Sequence, residues 1–286
     1  MNDKKLHINL NEKSAEFFSK GKIVWDKPEA KIWDELLAKT QKTVPVKTVS
    51  LVPLILKYAA AAVLFLLVGL GAVTFIYHKT IESLPGEHIT AQLPDGSAIE
   101  MNAGSYVKYY PFQWPFERKV VFEGEGFFSV QKGKKFEVES ANGSTQVLGT
   151  TFNIYSRDGK YRVTCLTGRV KVVSKADESV VLEPDSHAEI EEGKLILNKN
   201  YKTEKALGWK NNQFFFAGTP LKEVIDEIER QYGVTIKMQN ELSDRNFVGN
   251  FQRKYNVEEV LDFVCKTMQI EFVKQSENVF LVVEKS

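Results

Sequence analysis

Residues 58–77 run for 20 positions without a charged side chain (YAAAAVLFLLVGLGAVTFIY). At 1.5 Å per residue a helix of that length covers about 30 Å, the hydrocarbon thickness of a bilayer, so the pattern predicts one transmembrane helix. Tyr58 and Tyr77 stand where interfacial aromatics belong. A buried core helix is the competing reading and fits poorly, because soluble helices are seldom apolar on every face over such a length. A cleaved signal peptide fits no better: 57 residues precede the segment, and it is too long for the apolar region of a leader.

Residues 86–198 change to a period of two. LPDGSAIEM sets a turn at 94–96 between two alternating runs, and turn signals recur at 102–105, 141–144, 158–160, 166–168 and 191–193. Short strands at this spacing predict an all-β sandwich or barrel-like module. Tyr161, Val163 and Cys165 share one strand face, continued after the turn by Val170 and Val172, which makes Cys165 a core residue.

Residues 205–286 return twice to helical spacing. LKEVIDEI from Leu221 and VEEVLDFV from Val257 echo each other at a shift of 36 residues. In the first copy Thr219 is expected to cap and Pro220 to open a helix whose face carries Leu221, Val224, Ile225, Ile228 and Tyr232. In the second, Asn256 and Glu259 have capping-box spacing ahead of Val257, Val260, Leu261, Val264 and Met268. Strands at 214–216, 234–238 and 247–251 and a closing hairpin of 270–273 with 279–283 complete a predicted βαββαββ arrangement, two helices on one small sheet. Within it Phe247, Val248, Gly249, Asn250 and Phe251 alternate and are flanked by Arg245, Asn246, Arg253 and Lys254, the polar and charged guards of an edge strand able to accept a partner strand. The other reading makes Phe247 and Phe251 ordinary core residues of a central strand.

Ahead of the apolar segment, 14–20 presents Ala15, Phe17 and Phe18, and 28–39 presents Ala30, Ile32, Trp33, Leu36 and Leu37 at three- and four-residue spacings. Asp26, Pro28 and Glu29 form a helix-start signal for the second stretch. Residues 40–57, with Pro45, Pro53 and scattered lysines, read as a linker. So short a segment makes a meagre core, since even folded chains of about 60 residues bury only about 60% of their surface. Phe17, Phe18, Trp25 and Trp33 either pack on one another or, with Leu36 and Leu37, leave an apolar face to a cytoplasmic partner.

Charge orients the picture. Over 38–57 there are four lysines and no acid, whereas 78–97 carries Lys79 against Glu82, Glu87 and Asp95, so the positive-inside rule puts the N-terminus in the cytoplasm. The whole chain of 286 residues is nearly neutral, at +1, which argues against direct nucleic-acid binding. With 43% hydrophobic residues and only two cysteines it is neither disordered nor a disulfide scaffold.

Catalytic and cofactor signatures are missing. His7, His78, His88 and His187 are scattered, so no zinc site is expected. Gly124-Glu125-Gly126 leads into a strand rather than the helix a phosphate cradle needs. Glu123 and Glu125, at strand spacing, read as a solvated face rather than a glycosidase pair. No cofactor and no enzymatic activity are expected.

The runs GEHITAQLPDGSAIEMNAGSYVKYY, RKVVFEGEGFFSVQ, KKFEVES and VLGTTFNIYSRDGKYRVTCLTGRVKV together resemble the FecR family of anti-sigma factors, closely over 86–198. The last block is similar to the C-terminal domain of Bacteroidetes members and to the short N-terminal signalling domain of secretins and TonB-dependent receptors. Departures are Gly126 where the family usually has Ala, Lys134-Lys135 for Arg-Pro and Pro184-Asp185 for Pro-Gly. The resemblance implies a single-pass inner-membrane regulator: cytoplasmic segment and linker 1–57, membrane helix 58–77, periplasmic β domain 86–198 and C-terminal α+β signalling domain 205–286. It implies that Phe17, Phe18, Trp25, Trp33, Leu36 and Leu37 hold an extracytoplasmic-function sigma factor. It further implies that the outer domains, with the 247–251 edge as candidate contact, receive the signalling domain of a TonB-dependent outer-membrane receptor serving siderophore or glycan uptake. Membrane lipid and regulatory proteases are the other implied partners, and Gly69 and Gly71 would ease helix unwinding for proteolysis. A membrane-anchored hydrolase or glycan-binding module and a secretion-apparatus component remain the alternatives.

Overall fold

A computed structural model describes residues 21, 26–40, 50–191 and 193–285. Phe17, Phe18 and Trp25 lie outside the described residues. The chain divides into two units, 1–63 and 64–286.

In the first unit, α1 (Glu29–Thr40) begins directly after Pro28, whose carbonyl accepts from Lys31 N at 2.8 Å. None of its residues is buried. Helix α2 (Val52–Ile76) starts six residues before the predicted span, so the expected linker is shorter than 40–57. Pro53 stands in its first turn, where a missing N–H costs no hydrogen bond, and therefore does not delay the helix. Its stretch Ile55–Ile76 is long and apolar enough to cross a membrane, and none of that window is buried. A soluble core helix would be covered.

Thirteen strands follow: β1 (Lys79–Ser83), β2 (Ile89–Gln92), β3 (Ala98–Met101), β4 (Ser105–Tyr109) and the long β5 (Arg118–Ser129). Then come β6 (Phe136–Glu139), β7 (Gly143–Val147), β8 (Thr151–Arg157), β9 (Lys160–Thr167) and β10 (Val170–Ser174). β11 (Ser179–Leu182), β12 (Ser186–Glu191) and β13 (Lys194–Lys199) close the module. The strand path β11-β10-β7-β6-β5-β8-β9-β12-β13 passes through β5, which also pairs β3 and β4. The first half of β5 pairs β4 and β6, and its second half pairs β3 and β8, so one strand belongs to two sheet halves that share a single core. Gly124 marks the change, with φ +117, and an added Cβ there would stand 2.3 Å from Ser105 Oγ. The turn motif is fixed by side chains: Asp95 accepts from Ser97 Oγ and from Arg118 Nε, both at 2.8 Å. Tyr161, Val163, Cys165, Val170 and Val172 are all fully buried.

The C-terminal block has its own core. It runs β14 (Gln213–Pro220), α3 (Leu221–Tyr232), β15 (Thr235–Met238), β16 (Asn246–Gln252), α4 (Val257–Met268), β17 (Ile270–Ser276) and β18 (Val279–Glu284). The one small sheet expected here is instead two: β14-β16 antiparallel, and β15-β18-β17. The echoed copies account for this. The strands that precede the two helices pair with each other, and the strands that follow them both pair with β18. The capping box on α4 is present, with Asn256 Oδ1 accepting from Glu259 N and Glu259 Oε2 from Asn256 N, each at 2.9 Å. The first helix departs from expectation. Thr219 remains in β14 opposite Phe247, Pro220 takes the cap position, and the carbonyls of Arg245 and Ser243 accept from Leu221 and Lys222 N. Both cysteines are buried and unpaired with each other.

Candidate functional site

Two surfaces concentrate the features that bear on function. The first is the face of α1. Trp33, Leu36 and Leu37 follow one another at three- and four-residue spacing on a single stripe and are 59%, 48% and 54% exposed. Lys27 Nζ donates to Glu35 on the polar side at 2.9 Å. An isolated 12-residue helix is marginal in water, and among the described residues none of this helix is buried.

The second surface is the junction between the β module and the C-terminal block. It is bridged by amides, each satisfied by a group from the other side. Gln231 on α3 donates to Asn102 Oδ1 at 2.8 Å and, through the same nitrogen, to Glu227 at 2.8 Å. Asn102 donates to Glu125 Oε2 at 2.8 Å, Asn153 Nδ2 lies 3.3 Å from the other oxygen, and Trp209 Nε1 donates to Asn153 at 3.2 Å. Ion pairs Lys160 to Glu223 (2.6 Å) and Lys210 to Glu100 (2.9 Å) flank this network. Phe127 leaves the β module's surface to pack on the other core, with Lys210 Nζ 3.5 Å above its ring.

Glu125 corrects the solvated-face reading. Its carboxyl group is enclosed by the junction, and burial, reinforced by the neighbouring Glu227 charge, pushes its pKa up to about 7. Glu123 is also engaged, accepting from Ser140 Oγ, Ala141 N and Ser156 Oγ. Alternation alone says which residues share a face, not what covers it. One signal was available: Glu227 and Gln231 fall three residues after Val224 and Ile228, at core spacing on α3, and both are buried. His187 is stacked on Tyr201 at 4.2 Å and held neutral by burial, its pKa lowered to about 4. Among the described residues no group of three or more His, Cys, Asp or Glu side chains is placed to hold a metal ion.

Beside the network lies a cleft of about 660 Å³, lined among others by Tyr155, Arg162, Trp209, Phe215 and the middle of β16. The sequence-designated edge residues divide here. Among the described residues β16 pairs with β14 alone, so it is an edge strand. Phe247 and Phe251 nevertheless face the core and are buried, while Val248 is 67% exposed and Asn250 is exposed. Edge and core readings therefore apply to alternate residues of one strand.

The FecR protein family model matches residues 79–171, and the model of the FecR C-terminal region matches 213–282, so that together they cover more than half of the chain. The chain belongs to the FecR family. Two crystal structures of a candidate anti-sigma factor from Parabacteroides distasonis ATCC 8503, at 2.50 and 1.65 Å resolution, are similar to it. They share 26% and 27% identity and have TM-scores of 0.66 and 0.65. In both cases the likeness covers 73% of this chain and 100% of the other. No curated protein matches the chain.

The FecR motifs thus fall on structural positions. The LPDGS turn is the Asp95 hub, and two of the three departures have local accounts. Asp185 adopts φ +61, the conformation for which glycine is the usual residue. At Gly126 an added Cβ would stand 2.8 Å from Phe122 Cζ, so an alanine there would require that ring to shift.

Proposed function

We propose that this FecR-family chain is a single-pass inner-membrane anti-sigma factor. In this reading α2 crosses the membrane with α1 on the cytoplasmic side, where the Trp33, Leu36 and Leu37 face, together with Phe17, Phe18 and Trp25, covers an extracytoplasmic-function sigma factor. The outer part receives the signalling domain of a TonB-dependent receptor, and the chain acts by binding rather than by catalysis.

The observation that carries the reading is the exposed stripe on α1, on the lysine-rich side of an unburied apolar helix, in a chain that matches FecR over 79–171 and 213–282. The likeness to the candidate anti-sigma factor supports the regulatory class. For the receptor contact, support comes from the open edge of β16. An incoming strand can hydrogen-bond there while Val248 and Asn250 offer side-chain contacts, and Phe247 and Phe251 hold the strand in place from beneath.

A fused reporter that works only in the cytoplasm should be active at the N-terminus and silent after Ser286. Trp33→Ala should release sigma-dependent transcription while the chain stays in the membrane fraction. Activity of the C-terminal fusion would overturn the topology, and unchanged repression by Trp33→Ala would overturn the role of α1.

A further inference from the structure

The loop between β4 and β5 is out of keeping with the rest of the β module. Its sequence, YPFQWPFE over 110–117, carries four aromatic residues in eight. It is folded rather than loose: Gln113 N donates to Tyr110 O at 3.1 Å, and Phe116 N and Glu117 N both donate to Gln113 O at 2.9 Å. Trp114 points inward and is buried, edge-on to Tyr109 at 5.5 Å and to Phe136 at 5.9 Å. With the base pinned in this way, Phe112 and Phe116 point outward and are 52% and 86% exposed. A soluble surface seldom holds two phenylalanines out on a rigid tip, and such a patch marks an interaction site.

Its neighbours indicate what the site meets. The ring of Phe112 lies 5.5 Å from that of Tyr77, His78 lies 5.9 Å from Tyr110, and Gln113 Nε2 donates to the carbonyl of Phe75 at 3.3 Å. Phe75 and Tyr77 form the C-terminal end of the apolar helix and the residue just after it, and β1, which follows, pairs directly with β4. The loop therefore stands at the point where α2 ends, in line with its exposed Phe75 and Ile76.

We propose that Phe112 and Phe116 seat in the headgroup and upper acyl region of the bilayer where α2 emerges, making loop 110–117 a second, interfacial membrane contact that fixes the β module against the lipid surface. This inference rests on the membrane-spanning reading of α2. Aromatic side chains favour that boundary, and a preordered loop loses little freedom on entering it. The β module would then be held in one orientation rather than swinging from a single tether.

The test uses the full chain in phosphatidylcholine vesicles whose acyl chains are brominated near the headgroup, a short-range quencher of tryptophan emission. Phe116→Trp adds a fluorophore at the tip, and Val273→Trp adds one at an exposed position of β17. Relative to unbrominated vesicles, the emission added by Phe116→Trp should be mostly lost and that added by Val273→Trp retained. Survival of the Phe116→Trp emission in brominated vesicles that the chain floats with would overturn the interfacial contact alone. A chain that fails to float with vesicles would overturn this inference and the spanning reading together.

Discussion

Helices α1 and α3 are both 12 residues long and both carry an apolar stripe, yet they differ in what covers it. In α3, Leu221, Val224, Ile225 and Ile228 are buried against two sheets and a second helix. In α1 no residue is buried, and Trp33, Leu36 and Leu37 are about half exposed or more. The same sequence pattern is thus buried in one place and, among the described residues, exposed in the other. The difference lies in the neighbourhood: α3 is followed and preceded by strands that pair within the block, while α1 belongs to a short segment ahead of the apolar helix α2.

The sharpest way to break the comparison is to exchange the kind of damage. Ile228→Ala removes a fully buried side chain and should cost about 2–5 kcal/mol in denaturant unfolding of the C-terminal block. Trp33→Ala should leave that unfolding unchanged and instead weaken sigma-factor binding by about 2 kcal/mol or more, roughly thirtyfold, in a titration of the membrane-reconstituted chain. Were Trp33→Ala to lower the unfolding midpoint and spare binding, α1 would be a core helix like α3.

The junction network gives a pH signature of its own. Glu125 keeps its proton up to about pH 7 in the fold, against an ordinary value of 4.5, so the folded state binds the extra proton throughout that window. Stability contributed by this group is therefore present at low pH and lost as pH rises from 4.5 toward 7. Glu125→Gln should flatten that part of the stability-against-pH curve, a loss of slope measurable by thermal unfolding across a pH series. An unchanged slope would mean that the carboxylate is hydrated. The smallest effect is expected at the α4 capping box, where Asn256→Ala should cost about 1 kcal/mol in the same unfolding measurement.

Much of the fold after α2 was legible because alternation and helical spacing were strong. Tyr161, Val163 and Cys165 are core residues as their period implies, and the 158–160 turn falls between β8 and β9. What could not be read depends on long-range contacts. Glu125 is enclosed by side chains such as Glu227, over a hundred residues later, and the split of the C-terminal strands into two sheets depends on which strands of the echoed copies pair. The start of α2 at Val52 was obscured by Pro53, which breaks helices everywhere except in the first turn it occupies here. On β16 the alternation was visible, but only the structure separates the buried Phe247 and Phe251 from the exposed Val248 and Asn250.

The division of labour between the two regions can be measured directly with two pieces of the chain, residues 1–57 and residues 79–286, each immobilised and offered an extracytoplasmic-function sigma factor from the same cell. Retention by 1–57, lost on Trp33→Ala, with none by 79–286, is the predicted result. Retention by 79–286 with none by 1–57 would contradict it, moving the sigma-binding surface away from α1.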